Sequence, residues 1–147
     1  MAPLLAQMRA MVSASLDHPL THWTLRLILA DDPAPLPWAV FNWARDDIRF
    51  HREAPQVVAD LPRLIDAPVG DCNDLTVAVT ALAKAGGVPV RWALGFDRYG
   101  EPKHIWAQLF HGGQWLDVDP SPGAPEPGAG EVVDVPDATV IGYDLVS

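Results

Sequence analysis

The stretch GDCNDLTVAVTALAKAGGVP, Gly70 to Pro89, decides how the rest of the chain is read. From Asp71 onward it has the pattern of a helix. Leu75, Val79, Leu82 and Gly86 share one face, while Val77, Ala78, Ala81 and Ala85 leave almost no polar side before Lys84. A helix apolar nearly all round is a buried one. Gly86 and Gly87 tolerate the left-handed backbone that ends a helix, and Val88-Pro89 forbids its continuation. The only cysteine of the chain, Cys72, stands in its first turn. A lone cysteine makes no internal disulfide, and without neighbouring Cys or His ligands it is a poor zinc site. At a helix N-terminus, however, unpaired N–H groups and the helix dipole favour a thiolate, which attacks carbonyls. Asp71 and Asp74 flank the thiol, and negative charge there opposes a thiolate. They are expected to cap the helix with their carboxylates turned away from the sulfur.

Working outward, three strands are predicted downstream, Val88–Gly95, His104–Phe110 and Gln114–Asp119, with Gly112-Gly113 between the last two. A glycine pair favours a two-residue turn. Such a turn sets Phe110 by Trp115 and Trp106 opposite Asp119. Alternation then puts His104, Trp106, Phe110, Trp115, Asp117 and Asp119 on one face. His104 and Asp119 become diagonal neighbours, within reach of a carboxylate–imidazole hydrogen bond. A three-residue loop would shift the register by one and break the pairing. Cys72, His104 and Asp119 thus form a candidate nucleophile, base and orienting acid, with Asp117 on the same face as the alternative acid. The Cys72 N–H is a natural oxyanion donor, because an early helical N–H has no intrahelical partner. Asn73, Trp38 and Trp43 are the candidates for a second donor. Trp106 and Trp38 are the candidate walls of a substrate cleft. Zinc accepts the same three ligand types, but spacings of 32 and 15 residues (Cys72 to His104, His104 to Asp119) give no close ligand pair.

Upstream, Leu4, Leu5, Met8, Met11 and Val12 fall at helical spacing over residues 3–15. Asp17-His18-Pro19 looks like a cap opening a second helix, Leu20 to Ala30, with Leu20, Trp23, Leu27 and Ile28 expected inward. After the proline-laden break at 31–37, a third helix is expected from Trp38 to Arg49 on a stripe of Val40, Phe41, Ala44 and Ile48. Residues 50–70 read as a loop with one helical turn near Val57–Leu61. Pro120 to Gly130 reads as a linker, and Val132–Val146 as a short edge strand or a surface segment. Helices first and antiparallel strands after give an α+β domain with the cysteine-bearing helix against the sheet. One domain over 1–147 is expected, with an N-terminal helical extension (1–37), a core (38–121) and a C-terminal segment (122–147).

The chain has 147 residues, six tryptophans and a net charge of −9, so it is long enough for a packed core, and its acidity disfavours nucleic acid and anionic lipid as partners. No apolar run reaches the ~20 residues of a membrane span. The N-terminus lacks the basic and apolar regions of a signal peptide. The expected location is cytoplasmic, or virion-associated if the gene is a phage's. The Asp46-Asp47 pair reads as a solvated face, and His18, His22, His51 and His111 as solvent-facing or packing residues.

The ordered motifs Gly70-Asp-Cys-Asn-Asp-Leu75, Ala85-Gly-Gly-Val-Pro-Val-Arg91, His104-Ile-Trp-Ala-Gln108 and Gly113-Gln-Trp-Leu-Asp-Val-Asp-Pro120 resemble the transglutaminase-like superfamily of papain-type cysteine enzymes. Val40 to Phe50 resembles the helix that commonly precedes the cysteine motif. The resemblance spans roughly residues 38–121. It implies a papain-like α+β fold and a Cys-His-Asp triad on Cys72, His104 and Asp119. It also implies acyl transfer on the amides of protein or peptide substrates, by proteolysis or by glutamine–amine cross-linking, with no cofactor. A cysteine-peptidase-like activity is the first expectation. A cross-linking transglutaminase or a non-catalytic adaptor, such as a phage tail-assembly component with a structural partner, are the alternatives. Small members of this kind resemble those of bacteria and prophages. Asn73 stands where many members carry a second acid. The calcium-binding insertions of animal transglutaminases have no counterpart, so calcium dependence does not carry over.

Overall fold

The computed structural model describes residues 2–51, 58–96, 99, 102–129 and 137–142. Five helices are described: α1 (Ala2–Leu16), α2 (Pro19–Asp31), α3 (Leu36–Asp47), α4 (Leu61–Asp66) and α5 (Cys72–Ala85). The strands are β1 (Arg49–Phe50), β2 (Val69–Gly70), β3 (Val90–Phe96), β4 (Pro102–His111), β5 (Gln114–Val118) and β6 (Asp137–Gly142). β3 to β6 form an antiparallel sheet in the order β5-β4-β3-β6, so the edge strand expected late in the chain pairs with β3. The architecture is α+β, with the helices gathered on the sheet around α5.

Helix α5 is the hub. Leu75, Val77, Ala78, Val79, Ala81, Leu82 and Ala83 are all buried, as the unbroken apolar run requires. They meet Leu5, Met8 and Val12 of α1, Val40, Phe41 and Ala44 of α3, and Ile105, Ala107, Leu109 and Val118 of the sheet in one core. The N-terminal helices are therefore part of this core, not a cover over it. Of the stripe expected on α1, Leu5, Met8 and Val12 are buried and Leu4 and Met11 half-buried, and the stripe expected on α3 is buried throughout.

Helix α2 is turned from its expected orientation. Ile28 is buried as expected and Leu20 half-buried, but Trp23 and Leu27 lie outward, 58% and 64% exposed, and Thr21, Thr24 and Leu25 are buried instead. The reason is polar: the Thr21 hydroxyl donates to the Ser15 carbonyl across the α1–α2 junction at 2.6 Å. Ser15 Oγ in turn accepts from Leu61 N–H at 2.9 Å. These bonds fix the face, and hydrophobicity alone points to the wrong one. The N-cap of α2 is His18, whose Nδ1 accepts from Leu20 N–H at 3.1 Å, and not Asp17.

Two further differences concern residues 58–70. The expected helical turn near Val57–Leu61 appears as α4, which begins at Leu61; Val57 itself is outside the described residues. Asp60 caps it by accepting from Arg63 N–H at 2.9 Å, with Pro62 in the first turn where its missing N–H costs nothing. β1 and β2 then pair in parallel, Arg49 with Val69 and Phe50 with Gly70. Strands of two residues carry no periodicity, so this ladder has no signature in the sequence.

Candidate active site

The site is assembled at the start of α5 and at the open end of the β4–β5 hairpin. At the helix start, Asp71 Oδ1 accepts from the N–H groups of Asn73 (3.0 Å) and Asp74 (3.1 Å), while Asp74 Oδ2 accepts from Asp71 N–H at 3.1 Å. This reciprocal capping box satisfies the orphan donors of the first turn. Asp74 Oδ1 also accepts from Ala59 N–H at 2.8 Å, tying the preceding loop to the helix. Both carboxylates are thus committed to backbone, as expected of charges beside a nucleophile. Burial, opposed by those two backbone bonds and reinforced by the Asp71 charge, raises Asp74 to about 6. Gly70 lets the chain enter this close: a Cβ there would lie 2.8 Å from Asp74 Cβ and 3.1 Å from Leu64 Cδ1. Cys72 is left half-buried, its Sγ 3.9 Å from Asn73 Oδ1. Its own N–H takes no part in the capping bonds.

The hairpin has the two-residue turn on which the geometry depends. Gly112 and Gly113 have φ of 61° and 79°, the positive pair of a type I′ turn. The register runs His111–Gln114, Phe110–Trp115 and Gln108–Asp117 to Ala107–Val118, where β5 ends. Beyond that point Asp119 sits 3% exposed. Its Oδ2 meets His104 Nε2 at 2.5 Å, and its Oδ1 accepts from Ser121 N–H at 3.1 Å. Burial, the largest single influence on His104, disfavours its charged form. Hydrogen bonding and charge from Asp119 and Cys72 together outweigh it and raise the imidazole to about 9. With Nε2 given to Asp119, Nδ1 is the nitrogen left free to take a proton from the thiol. A bond from His104 Nε2–H to Asp119 fixes that tautomer and leaves Nδ1 basic.

Two buried hydroxyls set the distance between these parts. Thr76 Oγ1 donates its proton between Cys72 C=O at 2.7 Å and Ile105 C=O at 3.2 Å, linking the first turn of α5 to the residue after His104. One turn later, Trp92 Nε1–H donates to Thr80 Oγ1 at 2.9 Å. The backbone bond from Phe110 N–H to Pro89 C=O directs even-numbered residues of β4 toward β3, so the odd-numbered Ile105 faces the β5 side, beyond the end of that strand. Thr76 takes the place there of a missing strand. Both threonines lie inside a helix that reads as almost wholly apolar, and their i, i+4 spacing is the signal the sequence carries.

Of the residues expected at the site, the structure brings together Cys72, His104, Asp119 and Trp106. The Trp106 ring stacks on His104, centroids 5.5 Å apart and planes 26° apart. Asp117 does not reach the imidazole. Its Oδ1 accepts from Trp106 Nε1–H at 2.7 Å and from Gln108 Nε2–H at 2.6 Å. Trp38 is not brought to the site: it meets His111 edge-on at 5.2 Å, at the turn end of the hairpin. Seven residues of strand separate His111 from His104, roughly 23 Å. Trp43 packs against the core, and Asn73 is the only named oxyanion candidate beside the sulfur. Among the described residues no cluster of three His, Cys, Asp or Glu is arranged to hold a metal ion, and no helix is long and apolar enough to cross a membrane.

A groove of about 580 Å³ is bounded by the end of α3, β1, Pro68-Val69 and Pro120 with Pro122, and none of Cys72, His104 and Asp119 lines it. Its wall residues adjoin the site on both sides: Val69 is followed by Gly70-Asp71-Cys72, and Pro120 follows Asp119. Its lining combines apolar Ile48, Phe50, Val69 and the prolines with charged Arg45, Asp46, Asp47 and Arg49. Asp46 and Asp47 are exposed, and Asp46 pairs with Arg45 at 2.9 Å.

Comparison with known proteins bears on the fold. Among solved structures, a protein from Parabacteroides distasonis ATCC 8503 provisionally described as a protease is similar over 81% of this chain and 27% of its own, at 9% identity and a TM-score of 0.60. A structure described as a TGase is similar over 82% of this chain and 34% of its own, at 16% identity and a TM-score of 0.52. The chain thus spans about a third or less of these proteins' length, and the likeness is one of fold. No curated protein matches it. The sequence pattern of the transglutaminase-like superfamily, in contrast, matches residues 28–120, from the end of α2 through every site residue to Pro120. By that match, over more than half its length, the chain belongs to the transglutaminase-like superfamily.

Proposed function

We propose that the protein is a thiol-dependent acyl hydrolase or transferase acting on amide bonds of protein or peptide substrates. The observation that carries this reading is the disposition of His104, held through Nε2 by Asp119 at 2.5 Å and close enough to Cys72 for the thiol to bear on its charge. His104 takes the Cys72 proton, and the thiolate Sγ attacks the amide carbonyl carbon. The oxyanion that forms is met by the N–H of Cys72. As the intermediate collapses, the C–N bond breaks and His104 gives the proton to the leaving amine. The thioester is then attacked by water, deprotonated by His104, releasing the acid and restoring the thiol. An amine in place of water yields a new amide, and the chemistry on the enzyme is otherwise the same.

The groove whose walls lead in sequence to Cys72 and from Asp119, with its mixed apolar and charged lining, suits a stretch of peptide better than a small compact ligand. The net charge of −9 favours neutral or basic segments over nucleic acid.

The decisive test is the pH dependence of Cys72 alkylation by iodoacetamide, followed by mass spectrometry, in the native protein and in His104→Ala. A thiol that reacts readily well below pH 8, and slows when His104 is lost, supports the thiolate–imidazolium pair. A sluggish thiol indifferent to His104 overturns it and leaves an adaptor that keeps only the fold. Peptide cleavage with and without a primary amine then separates hydrolysis from transfer.

A further inference from the structure

On the face of the sheet away from α5, polar and aromatic side chains form an unbroken chain that ends at His104. Arg91 lies over the Trp115 ring, 4.4 Å from its centroid, and donates from Nε to Gln108 Oε1 at 2.6 Å. Gln108 Nε2–H and Trp106 Nε1–H both donate to Asp117 Oδ1, at 2.6 and 2.7 Å. Trp106, only 4% exposed, lays its ring over the imidazole. The groups whose charge bears on His104 are Cys72 from α5 and Asp119 beyond β5; Asp117 is not one of them.

We propose that Asp117 is a positioning residue that acts on the Cys72–His104 pair through Trp106. By fixing the indole N–H, it holds the ring face parallel to the imidazole. An imidazole can rotate about its Cα–Cβ and Cβ–Cγ bonds, and one bond to Asp119 does not fix its plane. The stacked indole closes one side and, together with the Asp119 bond, restricts the ring to the plane in which Nε2 meets Asp119. The negative face of the indole also stabilises the imidazolium formed when His104 takes the thiol proton. A second hydrogen bond from Gln108, itself tethered by Arg91, keeps Asp117 from following the solvent. This inference rests on the proposed thiol chemistry for its consequence, but its geometry is independent of turnover.

The test uses the full chain and two readouts, the His104 ring titration by NMR and the pH profile of Cys72 alkylation by iodoacetamide. Asp117→Ala frees the indole and is expected to lower the His104 midpoint by about half to one unit, and to slow alkylation near neutral pH by about three- to ten-fold. Asp117→Asn keeps an acceptor oxygen and is expected to restore both to native values. Trp106→Phe, which keeps a ring and loses the N–H, is expected to shift both in the same direction, with no further shift when combined with Asp117→Ala. A folded Asp117→Ala protein with native titration and alkylation overturns the proposal, as does an Asp117→Asn protein that behaves like the alanine variant. Should Asp117→Ala fail to fold, a Trp106→Phe protein with an unchanged His104 midpoint overturns it equally. If the native thiol itself proves sluggish, the proposed activity fails, and the His104 titration of the variants still decides this point alone.

Discussion

Asp117, within β5, and Asp119, just past its end, lie two residues apart, yet they serve different partners. Asp117 is inside the ladder, paired with Gln108, and its carboxylate is claimed by the two side chains its register neighbours present, Trp106 and Gln108. Asp119 stands just past the last pair, Ala107–Val118, where the backbone is free to turn toward Pro120. There the carboxylate is buried against His104 and braced by Ser121 N–H. The lesson is that register decides which acid meets the histidine: the hairpin offers two carboxylates on one face, and the end of the ladder selects between them.

The most drastic way to break this comparison is to insert one serine between Gly112 and Gly113. A one-residue slip moves both carboxylates to the core face and Leu116 and Val118 to solvent. A loss of several kcal/mol is expected, enough to abolish cooperative urea unfolding in a marginal domain. Next in size is Asp119→Asn, which keeps shape but exchanges an acceptor for a donor toward His104 Nε2. Turnover of a peptide amide is expected to fall by about 10³- to 10⁴-fold, whereas Asp117→Asn leaves it near native. Equal losses in the two variants would show that the acids are not divided as the geometry divides them.

A third carboxylate sharpens the contrast. Asp74→Ala leaves the N–H groups of Ala59 and Asp71 without their acceptor, and a loss of about 1–3 kcal/mol is expected by urea denaturation. Because burial raises Asp74 to about 6, its protonated form is the one folding favours. Its contribution is fully present below the ordinary value of 3.8 and is lost as pH rises through about 6. The stability difference between the native protein and Asp74→Asn should therefore change between about pH 4 and 6 and be flat above. A pH effect of comparable size, in a higher window, is the one at His104. Its value, raised from 6.5 to about 9, means that its share of stability is present below 6.5 and fades as pH rises through about 9. In Asp119→Asn this fading should shrink, measured as the urea midpoint between pH 6 and 10.

Much of this was legible in the chain itself. The all-apolar helix, the capping acids, the glycine pair and the alternation of β4 and β5 are local patterns of period and turn chemistry, and each implied the geometry found. The outward turn of Trp23 and Leu27 was not, because a serine and a threonine from two helices choose the face by hydrogen bonding. Nor was the placement of Trp38, whose neighbour His111 lies more than seventy residues away in sequence.

The sequence by itself determined that one cysteine begins a buried helix and that a histidine and two aspartates share one face of a hairpin. Periodicity and a two-glycine turn act over a few residues and can be read without the fold. Only the tertiary structure decided that Asp119 holds His104 while Asp117 holds Trp106, and that Thr76 sets the gap between helix and strand. Those outcomes depend on where a ladder ends and on which carbonyl it leaves without a partner, and that is settled by the packing of α5 on the sheet.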